Sequence, residues 1–392
     1  MKSTSIHNGR VVTTALPLTL ILVIYLAFLA GLTARYGFNP SGLIGIGERN
    51  SSYTPARLGS GIVVFRDSDG YDGQYFYYIA QDPFFRRGTF ANPVRYQRIG
   101  YPLLVWLLSL GKRQLIPVMM VVVNLLAVVF GSWLFINLLR QYDLSPWYSL
   151  LFAFNPGEIL GVQMDLAFPL QMALAMGALI AWEKRRSVAA SVLLAASILT
   201  SESAVLFLLP LVLAEAMARR WREVITLALS VIPYLVYQGV LWVCMGAGGI
   251  GVSAQHLGLP FVGMGQVLLA SINRLSLGPL MLARQGAVLA IMAVMLASTV
   301  LSAWKLTRGY EVYTSGVLCH ASASLLGSYA IWEAYASAGR VFSGLFPLLV
   351  LSYGARRERW SPILLGVTAA LGLLTLLRPF LISPQVPFFV TP

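Results

Sequence analysis

Apolar runs long enough to cross the roughly 30 Å hydrocarbon core of a bilayer recur from Val11 almost to the C-terminus. In lipid the backbone must satisfy its own N–H and C=O groups, so runs of this kind fold as helices. A β-barrel would show short alternating segments instead. The charged residues needed for a soluble surface are missing: of 392 residues 57% are hydrophobic and 11% charged, with a mean hydropathy of +0.73. The chain therefore reads as an all-α, polytopic integral-membrane helical bundle, one domain over residues 1–392.

Its formal net charge of +13 does not form a basic stripe. The clusters "EKRR" (Glu183 to Arg186), "ARRWRE" (Ala218 to Glu223), "KLTRG" (Lys305 to Gly309) and "ARRER" (Ala355 to Arg359) stand at the ends of apolar runs. There they act as cytoplasmic topology signals that also favour anionic membrane lipid, which argues against nucleic acid as a partner. With these clusters inside, the N-terminus is cytoplasmic and about 11 transmembrane helices follow. The first covers Val11 to Arg35, too long for a signal-peptide core, so it is read as retained. A large first extracytoplasmic loop, 36–111, carries short helices and ends in "YPLLVWLLSLG", an apolar piece too short to cross. Further helices fit near 114–139, 147–160, 166–182, 188–200, 204–218, 223–244, 282–304, 312–331, 341–354 and 360–377. The stretch from Ser187 to Ala218 begins and ends beside basic clusters, so it goes out and returns as a short hairpin with Glu202 at its apex.

Ionisable groups that are costly near a membrane mark function by default. The acids on the outer side of this topology are Asp67, Asp69, Asp72 and Asp82 in the loop, Glu158 and Asp165 between the third and fourth helices, Glu202, and Glu333. Asp72 heads "DGQYFYYIAQDP", a predicted helix from Gly73 to Gln81 stopped by Pro83. Two roles are open to it: an N-cap for that helix, or a general base between glycines that let a ligand approach. Asp67-x-Asp69 offers hard oxygen ligands that suit a divalent cation, Mg or Mn, with a solvated loop as the alternative. Arg86, Arg87, Arg95 and Arg98 follow; they either anchor the loop on lipid headgroups or grip a phosphate bidentately.

Other features carry less. "GAGGIG" (Gly246 to Gly251) matches a dinucleotide fingerprint without the required βαβ context. His256 and His320 are isolated, and Cys244 and Cys319 lie in apolar surroundings where thiols are usually packing residues. No P-loop, lipase-type elbow or HExxH zinc motif occurs, so no resident metal ligand set is assigned.

A first helix, a large acidic outer loop and many helices of uneven length is similar to the polytopic glycosyltransferases of the GT-C class. Asp72-Gly73-Gln74-Tyr75-Phe76 resembles their first-loop aspartate followed by aromatics, and "YPLLVWLL" (Tyr101 to Leu108) resembles a segment of the GPI mannosyltransferases. "FNPGEILGVQMDLAFPLQMALAMGAL" and "LTSESAVLFLLPLVL" look like helix-turn segments of that class. The run "YDGQYFYYIAQDP" looks most like bacterial cell-surface glycopolymer formation proteins. One departure stands out: Ser201 precedes Glu202 where the class has a lysine or arginine.

The resemblance implies an inverting transferase in the plasma membrane, in bacteria the inner membrane, that takes a sugar from a polyprenyl-phosphate donor to a glycan or lipid acceptor on the outer face. It implies Asp72, or else Asp69, as catalytic base. Asp67, Gln74, Tyr75, Asp82, Arg86, Arg87, Arg95, Arg98, Glu158, Asp165 and Glu202 would contact substrate, and Arg340 in "GRVFSGLFP" would steady the departing phosphate. The competing readings are a transporter or flippase for a lipid-linked or anionic substrate, a glycan polymerase or ligase, and a non-catalytic scaffold.

Overall fold

The computed structural model describes residues 4–86, 88, 92–250, 257–273, 279–356 and 361–381. Arg87 and His256 lie outside them. The described chain is a helical bundle with almost no sheet; its two-stranded ribbon, Ile46–Gly47 parallel to Val64–Phe65, pairs Ile46 with Val64 and Gly47 with Phe65.

Among the described residues five helical stretches are long and apolar enough to cross a membrane: Thr14–Ala34, Ile116–Gln141, Trp221–Met245, Gln285–Leu306 and Pro362–Leu381. A sixth arises if Tyr335–Val341 and Leu345–Ala355, bent by 46° at the break between them, count as one span. Their outward faces are apolar: Val243 is 84% exposed and Leu381 71%. Side chains of this kind in contiguous rows need lipid rather than water around them.

The remaining segments are shorter than a bilayer. Ser187–Thr200 and Val205–Met217 have 14 and 13 residues, a rise of roughly 20 Å each. Glu202–Ala204 makes a 3₁₀ turn between them, so the stretch forms a short helical hairpin with Glu202 at its apex. The expected helix at 147–160 is two pieces, Ser149–Ala153 and Pro156–Gln163. Pro156 starts the second at its first position, and the Asn155 side chain accepts from the Gly157 and Glu158 N–H groups at 2.9 and 3.2 Å. Val262–Asn273 falls where no element was expected, and so does Tyr335–Val341, nearly all of which lies between the expected helices 312–331 and 341–354.

The 36–111 segment is packed into the bundle. Tyr77, Tyr78, Tyr96 and Tyr101 are completely or almost completely buried. Phe76 meets Tyr101 edge-on at 5.4 Å, and Tyr101 donates to the Met120 carbonyl at 3.1 Å. One apolar core joins this segment to the Thr4–Ala34 helix and one face of Ile116–Gln141. A second core holds Phe168–Glu183, Ser187–Thr200 and the C-terminal helices. The acidic loop is thereby part of the first of these cores.

Candidate functional site

The Gly73–Gln81 helix forms as its sequence directs: Phe76, Tyr77, Ile79 and Ala80 are buried and Pro83 bars its continuation. Asp72 does not cap it. The residue has helical dihedrals, φ −61° and ψ −25°, and its side chain makes no capping bond. Its Oδ1 instead accepts from Arg95 Nη1 at 2.5 Å and its Oδ2 from Arg340 Nη2 at 2.6 Å. Of the two roles open in sequence, capping is overturned, because two guanidiniums outbid the backbone N–H groups for the carboxylate.

The glycines beside Asp72 also have a different purpose from ligand access. A Cβ on Gly73 would lie 2.5 Å from the Met164 carbonyl oxygen and 2.6 Å from that of Ile44. A Cβ on Gly70, at φ +70°, would lie 2.3 Å from the Gly45 oxygen. Both seat the loop on neighbouring backbone.

Three arginines gather round the aspartate. Arg95 sits on the short helix Pro93–Tyr96 and lies over the Tyr75 ring, 4.3 Å from its centre. Arg340 ends the Tyr335–Val341 helix and lies 5.0 Å over Tyr71. Both guanidiniums lie over a tyrosine ring while an Nη of each reaches Asp72. Arg98 grips Glu202 bidentately, Nε to Oε2 at 2.9 Å and Nη2 to Oε1 at 2.6 Å. Ser201 precedes Glu202, and the positive partner of this glutamate comes from the 36–111 segment.

Burial alone would push the Asp72 carboxyl up, but Arg340, then Arg95 and Arg98, outweigh it and hold Asp72 well below the usual carboxylate range. Burial likewise disfavours the Arg98 cation, and Glu202 more than restores it, so Arg98 is held above its ordinary value. Tyr71 is raised by burial, against the opposing pull of Arg340, and stays a neutral phenol.

Arg340 is the informative member. Its Nε and Nη1 are buried and have no hydrogen-bond partner, although its Nη2 is paired. Buried guanidinium N–H groups left without acceptors are costly, so the place they face suits an acceptor-rich anion. With Glu202 committed to Arg98, Arg95 and Arg340 share one carboxylate, and the cluster carries one positive charge more than Asp72 and Glu202 supply.

The other sequence candidates are distributed elsewhere. Gln74 is 1% exposed; its amide donates to the Asp69 carbonyl at 3.0 Å and accepts from Gly47 N–H at 3.3 Å, so it braces the loop and does not reach for substrate. Asp67 forms an exposed pair with Arg49 at 2.8 Å, and Asp69 is exposed on the same turn. A divalent cation needs about six or more oxygen ligands, and a site already occupied by the Arg49 guanidinium is ill suited to one. Among the described residues no three His, Cys, Asp or Glu side chains group together as a metal set. Asp82 accepts from the Arg86 backbone N–H at 2.9 Å at the far end of the nine-residue Gly73–Gln81 helix, roughly 13 Å from its start by helical rise. Arg86 stays there too, exposed and 5.7 Å from the centre of the Phe84 ring.

Glu158 and Asp165 do not face outward. Both are fully buried; the Glu158 carboxyl has no partner, and Asp165 sits against the Asn124 amide without closing a hydrogen bond to it. An ionised carboxylate in that setting would be intolerably expensive, which excludes them from an ionised acid cluster. Glu333 is exposed and outside the arginine group.

The structure thus brings together Asp72, Tyr75, Arg95, Arg98, Glu202 and Arg340. Tyr71 was missed in sequence, where only its place beside Asp72 could have pointed to it. Arg378, whose field reaches Tyr71, was missed as well; it lies in the last turn of the Ser361–Leu381 helix, at the end of the last apolar run. Compared with protein-family models, with curated proteins and with solved structures, the chain matches none.

Proposed function

We propose that the chain is an inverting glycosyltransferase of GT-C type, moving a sugar from a polyprenyl-phosphate donor to a cell-envelope glycan or lipid acceptor. One observation carries the reading: an ionised aspartate at a loop-to-helix junction is held between two tyrosine-stacked arginines, one of them with buried N–H groups still seeking an anion. The site has a base and a phosphate grip side by side, and a donor embedded in the membrane needs no nucleotide-binding domain.

In this mechanism Asp72 accepts the proton of an acceptor hydroxyl as its oxygen attacks the anomeric carbon from the face opposite the phosphate. The bond from the anomeric carbon to the phosphate oxygen breaks, and its electron pair leaves on the lipid phosphate. Arg340 and Arg95 neutralise the charge that develops there. Arg98, fixed by Glu202, adds positive field without being consumed. In this reading the site lies on the extracytoplasmic side, with the N-terminus and the basic clusters in the cytoplasm and about eleven crossings if the short helices are counted as spans.

The test is transfer from a panel of polyprenyl-phosphate sugars by the purified protein in lipid nanodiscs. One donor is expected to turn over. Asp72→Asn is expected to lose about a hundredfold or more, the usual cost of removing a positioned base. A transporter for a lipid-linked anion is the second reading, favoured by the 46° break between Tyr335–Val341 and Leu345–Ala355, since interrupted helices line many transport sites. Consumption of no donor, together with movement of intact lipid-linked sugar across the bilayer, would put that reading first.

A further inference from the structure

Both oxygens of Asp72 are occupied by the same guanidiniums that a phosphate would need: Arg95 at Oδ1 and Arg340 at Oδ2. The charged and titratable groups around them are Arg98, Tyr71 and, through Tyr71, Arg378; none supplies a second anion, because Glu202 is already held bidentately by Arg98. A base locked in two ion pairs is a poor proton acceptor. A donor phosphate entering beside it meets arginines whose remaining N–H groups are either stacked edges or, in Arg340, buried without a partner.

Building on the transferase reading, we propose that Asp72 and the donor phosphate compete for Arg340 and Arg95, so that the arginines pass from the carboxylate to the phosphate during the reaction and the base is armed only when donor is bound.

The charge balance makes the exchange natural. Before transfer the site holds an aspartate of charge −1 and a sugar phosphodiester of charge −1. Afterwards it holds a neutral carboxylic acid and a lipid phosphate monoester of charge −2, since the acceptor proton has gone to Asp72 and the electron pair of the broken bond to the phosphate. The total is unchanged, while one negative charge has moved from the carboxylate to the phosphate within reach of the same cations. Arginine can follow it with little motion, because its planar fork offers several donors to either anion. The tyrosine stacks beneath Arg340 and Arg95 let the guanidinium planes slide while keeping them over the site. Proton acceptance and leaving-group departure are then coupled electrostatically, and an acceptor is not deprotonated before a donor is in place.

This coupling makes a prediction opposite to that for a residue that helps to bind donor. Like charges side by side in a desolvated site repel, so removing the Asp72 charge should release both arginines to the phosphate. Binding of undecaprenyl phosphate, the product-like probe, is to be measured on wild type, Asp72→Asn and Asp72→Asn/Arg340→Gln in nanodiscs of neutral lipid. Asp72→Asn is expected to bind about tenfold tighter or more while transferring no sugar, and the double variant to lose that gain. Equal or weaker binding by a monodisperse Asp72→Asn protein would overturn the competition and leave the transferase reading standing. Failure of both wild type and Asp72→Asn to bind the lipid phosphate would sink the transferase reading and the coupling with it. A second measurement needs no variant: the structure of the wild-type protein with undecaprenyl phosphate bound. Arg340 is expected on the phosphate and more than about 4 Å from Asp72, beyond ion-pair range; Arg340 still paired with Asp72 would overturn the proposal.

Discussion

Adding a single methyl group at Gly73 tests whether the backbone seat of Asp72 matters as much as its charge. The new Cβ would lie 2.5 Å from the Met164 carbonyl oxygen and 2.6 Å from that of Ile44. Both neighbours are backbone, so neither can swing aside as a flexible side chain would. Reaching an ordinary contact of 3.4 Å demands a movement of about 0.9 Å. Ile44 is fully buried and Met164 nearly so, so the strain falls on the backbone at the start of the Gly73–Gln81 helix, next to Asp72. A displacement of about 1 Å in a catalytic constellation typically costs on the order of a hundredfold in rate, and overpacking of this kind costs about 1–3 kcal/mol of stability. Gly73→Ala is therefore expected to fold, to unfold at lower temperature and, on the proposed transferase function, to lose about a hundredfold in sugar transfer with Asp72 still present. The assay is donor turnover in nanodiscs with thermal unfolding measured in parallel, and Gly70→Ala is the companion that strains the loop further from Asp72. Wild-type turnover by Gly73→Ala would refute the argument that this packing fixes the aspartate.

Further outcomes follow from the same geometry. Glu202→Ala leaves Arg98 half-buried without its bidentate partner and is expected to cost about 1–3 kcal/mol in thermal or denaturant unfolding, with Glu202→Gln recovering part of it. Asp67→Asn removes one side of an exposed pair with Arg49, where surface pairs contribute little, so transfer is expected to stay within about twofold of wild type; a loss as large as that of Asp72→Asn would return the turn to the catalytic site. Because the folded-state Asp72 lies below the ordinary aspartate value of about 3.9, its ion pairs contribute their full stability above that pH and lose it only as pH falls further through the lowered value. Wild type should accordingly show no Asp72-dependent loss of stability between pH 5 and pH 7 on comparison with Asp72→Asn, over that range of about two units; a loss centred there would contradict the arginine cage.

Much of the helical layout is legible in the sequence, because it depends on local causes. Hydrophobic run length and Pro83 after Gln81 fix where helices start and stop without reference to distant residues. The Gly73–Gln81 helix matches the expected range, and the break near 201 falls where polar residues interrupt an apolar run. Val262–Asn273 escaped because Gly263 and Gly265 weaken its pattern and twelve residues are too few for a spanning signal. Continuous reading also joined Ser149–Ala153 to Pro156–Gln163 across a break that the Asn155 cap enforces.

The site divides along the same line. Sequence alone picked out Asp72, Arg95, Arg98, Glu202 and Arg340, because ionisable groups in so apolar a chain are rare enough to be conspicuous. It could not separate them from Asp67, Asp82, Arg86, Glu158 and Asp165, whose residue types are the same. What distinguishes them is three-dimensional: one helix length carries Asp82 and Arg86 away from Asp72, core packing closes over Glu158 and Asp165, and Gln74 turns into its own loop. The meeting of Arg340 with Asp72, and of Glu202 with Arg98, is decided by how the C-terminal helices and the short hairpin pack on the first loop. Hydropathy acts along the chain and determines that it is a bundle of apolar helices; an ion pair acts through space, and only the packed bundle selects which charges stand within reach of one another.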